Sequence, residues 1–167
     1  FVNWGCYDLD YLLGITGWKL QPRRILAHTW PVAPKFAAHA APGSDAETHI
    51  VALIDCADDC VITYERGEFT STIADEAWAI VGETSTLRLP MVPANGKKIY
   101  FDEGATSRVI WEGDEPWGTG PTATVDFAEA ILTGRPPYAT LENALTFQQI
   151  VDAAYASAAT GRAVDIA

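Results

Sequence analysis

Apolar residues recur along this chain with two different periods, and the changes of period divide it into elements. Near the start, Cys6, Leu9 and Leu13 fall at i, i+3 and i+7, the spacing of one helical face, and Gly14 and Gly17 end the segment. A helix is therefore expected over 3–14. Seven short runs rich in β-branched and aromatic residues follow, at 24–30, 49–56, 61–66, 77–81, 85–89, 98–102 and 108–112. Asp58-Asp59, Gly67, Gly82, Asn95-Gly96, Gly104 and Gly113 punctuate them. Short strands joined by short turns pair antiparallel.

The helical period returns at the end. The run 125–133 is stopped by Gly134 and Pro136-Pro137. Thr140 is placed to cap a helix reaching about Ala159, with Ala144, Phe147, Val151, Ala154 and Ala158 as its apolar stripe and Gly161 as its closing glycine. Residues 163–166 read as a last edge strand. The stretch 31–47 holds three prolines and Gly43-Ser44-Asp45 and shows no period, as functional or disordered loops do. Neither an internal repeat nor a domain boundary is visible. The fold class is α+β: a mainly antiparallel open sheet of about six to eight strands, with helices mostly on one face. In His49-Ile50-Val51-Ala52-Leu53-Ile54 both alternating sets are apolar, so this strand wants cover on both faces. Helices supply one cover. A second copy of the chain, related by two-fold symmetry, is expected to supply the other.

Composition narrows the class of function. A length of 167 residues fits one domain and is enough to bury a core without disulfides or metals. Eleven basic residues against 22 acidic ones give a formal charge of -11, which argues against a nucleic-acid partner and against an anionic membrane surface. No apolar run approaches the roughly 18 residues of a membrane span, and no signal-peptide pattern is seen. The chain opens on Phe1 directly into a patterned segment, which reads as an excised domain. Cys6, Cys56 and Cys60 make an odd set that suits a reducing, cytoplasmic setting. Cys56-Ala-Asp-Asp-Cys60 has half the ligands of a metal site and no second pair. Its centre looks like a hairpin turn, so ordinary strand-end cysteines are expected and no metal. His28, His39 and His49 have no metal spacing either. His28 and His49 sit in strands as structural histidines, whereas His39 lies in the irregular stretch and is better placed to touch a ligand. Arg23-Arg24 and Lys97-Lys98 read as solvated strand ends.

Asn3, Tyr7 and Asp10 are spaced i, i+4 and i+7, on the face of the first helix opposite its apolar one. A tyrosine hydroxyl beside a carboxylate and an amide passes a proton to or from a substrate hydroxyl. The plainer alternative is that Tyr7 packs. Trp4 likewise either stacks on a sugar ring or joins the core.

The segment Asn3-Trp-Gly-Cys-Tyr-Asp-Leu-Asp10-Tyr-Leu-Leu-Gly14 resembles the opening of the C-terminal domain of the Gfo/Idh/MocA family, the glucose-fructose oxidoreductase and inositol dehydrogenase relatives. Its pattern is Asp-x-Gly-x-His-x-x-Asp followed by apolar residues and glycine. Gly5 and Asp10 match it; Asn3 replaces the Asp and Tyr7 the His, and the glucose-fructose oxidoreductase-like members also carry Tyr there. Phe127-Ala-Glu-Ala-Ile-Leu-Thr-Gly-Arg-Pro-Pro137 is similar to a second family pattern, and Thr140-Leu-Glu-Asn-Ala-Leu145, Asp152-Ala-Ala-Tyr155-Ala-Ser157 and Gly161-Arg162-Ala-Val164 follow in the family's order.

The resemblance implies that 1–167 is a single C-terminal substrate-binding and oligomerisation domain, preceded by a Rossmann domain absent from this chain. It implies an open sheet that mediates dimers or tetramers, NAD or NADP as cofactor, and a sugar, inositol or dihydrodiol-like alcohol as substrate. Tyr7 would be the catalytic proton-transfer group with Asn3, and Asp10, Trp4 and His39 would bind substrate. Nothing here binds a dinucleotide alone: Gly118-Thr-Gly120 lacks the strand–turn–helix context of a phosphate loop, and the family's Glu-Lys-Pro belongs upstream. A catalytically inactive sugar-binding or scaffold relative is the alternative, favoured by Asn3 in place of Asp.

Overall fold

The structure is a computed structural model that describes residues 1, 5–68, 78–89, 97–113 and 122–167. In chain order the elements are α1 (Gly5–Ile15), β1 (Pro22–Pro31), a 3-10 helix (Pro34–His39), β2 (Glu47–Cys56), β3 (Val61–Gly67), β4 (Trp78–Val81), β5 (Thr86–Leu89), β6 (Lys97–Glu103), β7 (Thr106–Gly113), α2 (Ala123–Thr133), α3 (Leu141–Thr160) and β8 (Val164–Asp165). Among the described residues every strand pairing is antiparallel. The eight strands form two four-stranded sheets, ordered β3-β2-β1-β8 and β4-β5-β6-β7. The chain separates into two compact units, one of Phe1–Thr70 with Glu129–Ala167 and one of Ser71–Ala128. The sequence pattern alone shows no such division.

In the first unit the register puts Ile25 opposite Ile54, Ala27 opposite Ala52, Ala52 opposite Tyr64 and Ile54 opposite Ile62. Paired residues share a face, and this face is the buried one. Leu9 and Leu13 of α1 and Ile150, Val151, Ala153 and Ala154 of α3 complete the core. Each fully buried Leu, Ile or Val contributes roughly 1.5–3 kcal/mol. Thr140 caps α3 by accepting from Asn143 N at 3.2 Å, and Gly161 ends it at φ 65, a left-handed angle that glycine adopts without a Cβ clash. The buried face of α3 differs from the expected stripe. Ala144 is exposed, and Ile150, Ala153 and Ser157 lie inside instead, so core contact starts more than a turn into the helix.

Ser157 has a specific reason to be buried. β8 is two residues long and pairs only with Arg24 and Ile25. Ala27 N–H lies just past its end and needs another acceptor. Ser157 Oγ accepts from Ala27 N at 2.9 Å and donates to Arg162 O at 2.7 Å, bridging the gap where the ladder stops.

Among the described residues, the opposite face of this sheet is partly exposed. Leu26 pairs with Leu53, His28 with Val51, Trp30 with His49, Val51 with Glu65 and Asp55 with Val61. Leu26, Trp30, Val51, Leu53 and Val61 are 37–55% exposed. Among the described residues, the two-sided apolar pattern of β2 is thus buried on one face and partly exposed on the other.

In the second unit, β4–β7 contribute no buried residue. A cross-strand ladder of Arg88, Asp102 and Ser107 holds one face, with Arg88 lying over the Tyr100 ring. Among the described residues, no helix is long and apolar enough to cross a membrane.

Candidate functional site

α1 is built to be held from behind and to display its front. Gly5 opens it with N–H donating to Phe1 O at 2.7 Å. A Cβ at Gly5 would stand 2.5 Å from the Phe1 ring, so only glycine lets the helix start this close. Leu9 and Leu13 are buried, whereas Tyr7 is 66% exposed and Asp10, Tyr11 and Ile15 share the outward side.

Asp8 fixes the helix at the boundary between these faces. It accepts from Tyr64 Oη at 2.8 Å and from Arg66 Nη1 at 3.3 Å, both on β3. Burial pushes the Tyr64 hydroxyl well above the ordinary phenol range, and the hydrogen bond to Asp8 adds to this. Tyr64 therefore keeps its proton and serves as a fixed donor. Tyr7, one position before Asp8, lies on the exposed side of the helix.

Of the residues the sequence singles out, Tyr7 and Asp10 come together on one helix face. Asn3 and Trp4 fall outside the described residues. His39 is exposed at the end of the 3-10 helix, within a stretch where no element was expected; Pro34 suits the start of that turn because its fixed φ is already helical. His28 and His49 flank Trp30, with ring centroids at 4.4 and 4.8 Å, and His49 Nε2 pairs with Glu65 Oε1 at 2.9 Å. Arg24 pairs with Asp165 at 2.7 Å and Lys98 with Glu112 at 3.1 Å. Sequence reasoning passed over Asp8, Tyr64 and Arg66. The signal available was Asp8 itself, a carboxylate beside the apolar face of a helix.

No three of His, Cys, Asp and Glu gather into a metal set among the described residues. The described residues hold no parallel βαβ unit of the kind that cradles a dinucleotide. A dinucleotide's phosphates sit on a glycine-rich turn leading from a strand into a helix within such a unit, and among the described residues every pairing is antiparallel.

A family profile described as the oxidoreductase family, C-terminal alpha/beta domain, matches residues 1–166, and the chain belongs to that family. No curated protein sequence matches it. Solved structures share its fold at low identity. An aldose-aldose oxidoreductase from Caulobacter crescentus complexed with glycerol is 19% identical with a TM-score of 0.71, covering 96% of this chain and 45% of its own. An oxidoreductase from Agrobacterium radiobacter in complex with NAD+, L-tartaric acid and magnesium is 20% identical with a TM-score of 0.68, covering 97% and 47%. An oxidoreductase domain protein from Kribbella flavida is 16% identical with a TM-score of 0.72, covering 99% and 49%. The chain thus spans under half the length of each of these neighbours. The α+β architecture expected from the strand and helix pattern is the fold they share.

Proposed function

We propose that the full-length protein is an NAD(P)-dependent oxidoreductase acting on the CH–OH carbon of a sugar, inositol or dihydrodiol-like substrate. In this reading 1–167 is the C-terminal substrate-binding and oligomerising part, and an N-terminal Rossmann domain outside it holds the cofactor. The observation that carries the reading is the arrangement of α1. Tyr7 and Asp10 face outward, while Leu9, Leu13 and the Asp8–Tyr64 bond fix the helix from behind. Groups held on a rigid element are what proton transfer requires.

The nicotinamide supplies the hydride chemistry. This chain orients the substrate and handles the hydroxyl proton. In the reducing direction Tyr7 would donate its O–H proton to the substrate oxygen and be left as phenolate, and in the oxidising direction that phenolate would take the hydroxyl proton back, while Asn3 would orient the hydroxyl and Asp10, Trp4 and His39 would bind the rest of the substrate. Among the neighbours, an aldose-aldose oxidoreductase with glycerol and an oxidoreductase with NAD+ and L-tartaric acid agree with a hydroxyl-bearing small molecule. The partly exposed face of the first sheet serves as the contact with a second copy. The free cysteines agree with a cytoplasmic setting.

Asn3 in place of the family's Asp favours a second reading, a sugar-binding or scaffold relative without catalysis. The test is reduction of NAD+ or NADP+ by the full-length protein across a panel of sugars, inositols and dihydrodiols. Turnover of at least one supports the enzyme. Saturable polyol binding with no turnover supports the scaffold.

A further inference from the structure

The hairpin between β2 and β3 carries two cysteines that the proposed chemistry leaves unused. Its turn is Ala57-Asp58-Asp59, with both aspartates left-handed at φ 60 and 55. It closes where Cys56 N–H donates to Cys60 O at 2.8 Å. Asp55 and Val61 are the last registered pair, so Cys56 and Cys60 oppose one another a single step further on. Opposed residues point to the same face. Here it is the face of Ile54 and Ile62, and both thiols pack on the core, Cys56 buried and Cys60 partly so. Directly opposed residues of an antiparallel pair have Cα atoms about 4.5–5.5 Å apart, inside the window of roughly 4.4–6.8 Å that a disulfide spans. Both thiols are free.

We propose that Cys56 and Cys60 form a dithiol that closes reversibly into an intramolecular disulfide by exchange with a low-molecular-weight disulfide such as oxidised glutathione. Cys60 is the more accessible and reacts first. It gives its S–H proton to solvent, and its thiolate attacks the glutathione disulfide, expelling one glutathione. Cys56 then loses its proton and attacks the Cys60 sulfur, expelling the second. Two protein thiols are oxidised, one glutathione disulfide is reduced to two thiols, and no further oxidant is needed. Burial, then the neighbouring Cys60 and Asp55, push the Cys56 thiol up to about 11, which suits a slow resolving thiol and leaves the initial attack to Cys60.

The test uses the full-length protein incubated with oxidised glutathione, alkylated and digested with trypsin. Cleavage after Lys35 and Arg66 yields peptide 36–66, which holds Cys56 and Cys60 and no other cysteine. The expected peptide is lighter by two hydrogens, takes no alkyl group, and regains both thiols in dithiothreitol. Cys56→Ser should instead accumulate glutathione on Cys60. Should that variant fold poorly, phenylarsine oxide on the unaltered protein provides the second measurement: one arsenic bridging both sulfurs should protect both from alkylation. The proposal is overturned if both cysteines remain alkylatable after oxidation, if a glutathione adduct persists on the unaltered protein, or if the arsenical protects neither thiol.

Discussion

Tyr64 donates a hydrogen bond to Asp8 Oδ2 across 2.8 Å, and with Arg66 on the same carboxylate it ties β3 to the helix that displays Tyr7. Asp8→Ala removes the acceptor and leaves a buried hydroxyl unpaired, a change worth about 1–3 kcal/mol. The urea midpoint should fall accordingly, with an unchanged slope. Asp8→Asn keeps an acceptor for Tyr64 and should lose less. Equal midpoints for Asp8→Ala and the unaltered protein would show that this contact carries no stability.

The raised Tyr64 hydroxyl predicts an alkaline limit. An unfolded tyrosine ionises near pH ~10, whereas burial and then the Asp8 bond hold folded Tyr64 protonated to higher pH. Above the unfolded value the native state binds a proton that the unfolded state does not, so stability falls as pH rises, by about 1.4 kcal/mol per pH unit from this group. Below that pH the contribution is fully present. Tyr64→Phe should flatten the alkaline loss, and phenolate absorbance should lack the last-titrating tyrosine. A Tyr64→Phe stability curve parallel to that of the unaltered protein would count against it.

Ser157→Ala should destabilise by about 1–3 kcal/mol, because Ala27 N–H and Arg162 C=O lose the Ser157 hydroxyl that bridges them beyond β8. Hydrogen exchange at the Ala27 amide reads this directly: protection there should drop more than at Ile25, which β8 still pairs.

Leu53 is 48% exposed at the centre of the first sheet's partly exposed face, opposite Leu26. If that face meets a second copy, Leu53→Asp buries an unpaired charge at the contact. The full-length protein should sediment as a smaller species, with near-normal circular dichroism. An unaltered protein that already sediments as a monomer at micromolar concentration would remove the basis for the oligomer.

Much of the fold is legible in local pattern. Thr140 and Gly161 mark the ends of α3 because capping depends on residues within one turn of the helix end. Asp58-Asp59 marks the β2–β3 hairpin because left-handed backbone selects such residues. What local pattern does not carry is register between distant segments. Ser157 meets Ala27 across 130 positions and Asp8 meets Tyr64 across 56. Neither follows from periodicity, since both polar groups are buried for partners chosen by the fold. The division into two sheets is hidden for the same reason: each strand shows its alternation and not its neighbour. Tyr7 and Asp10 were legible because a single helix places them on one face.

The most direct measurement of the proposed function is the steady-state rate of Tyr7→Phe in the full-length protein, with the panel compound that gives the highest turnover. The substitution removes one hydroxyl from a residue 66% exposed, so the fold should survive. General acid–base groups contribute about 10²–10⁴-fold, and kcat should fall by that much. A raised KM with kcat unchanged would mean uniform binding rather than proton transfer. Near-normal kcat would contradict the assignment and leave Tyr7 a surface side chain without a part in the reaction.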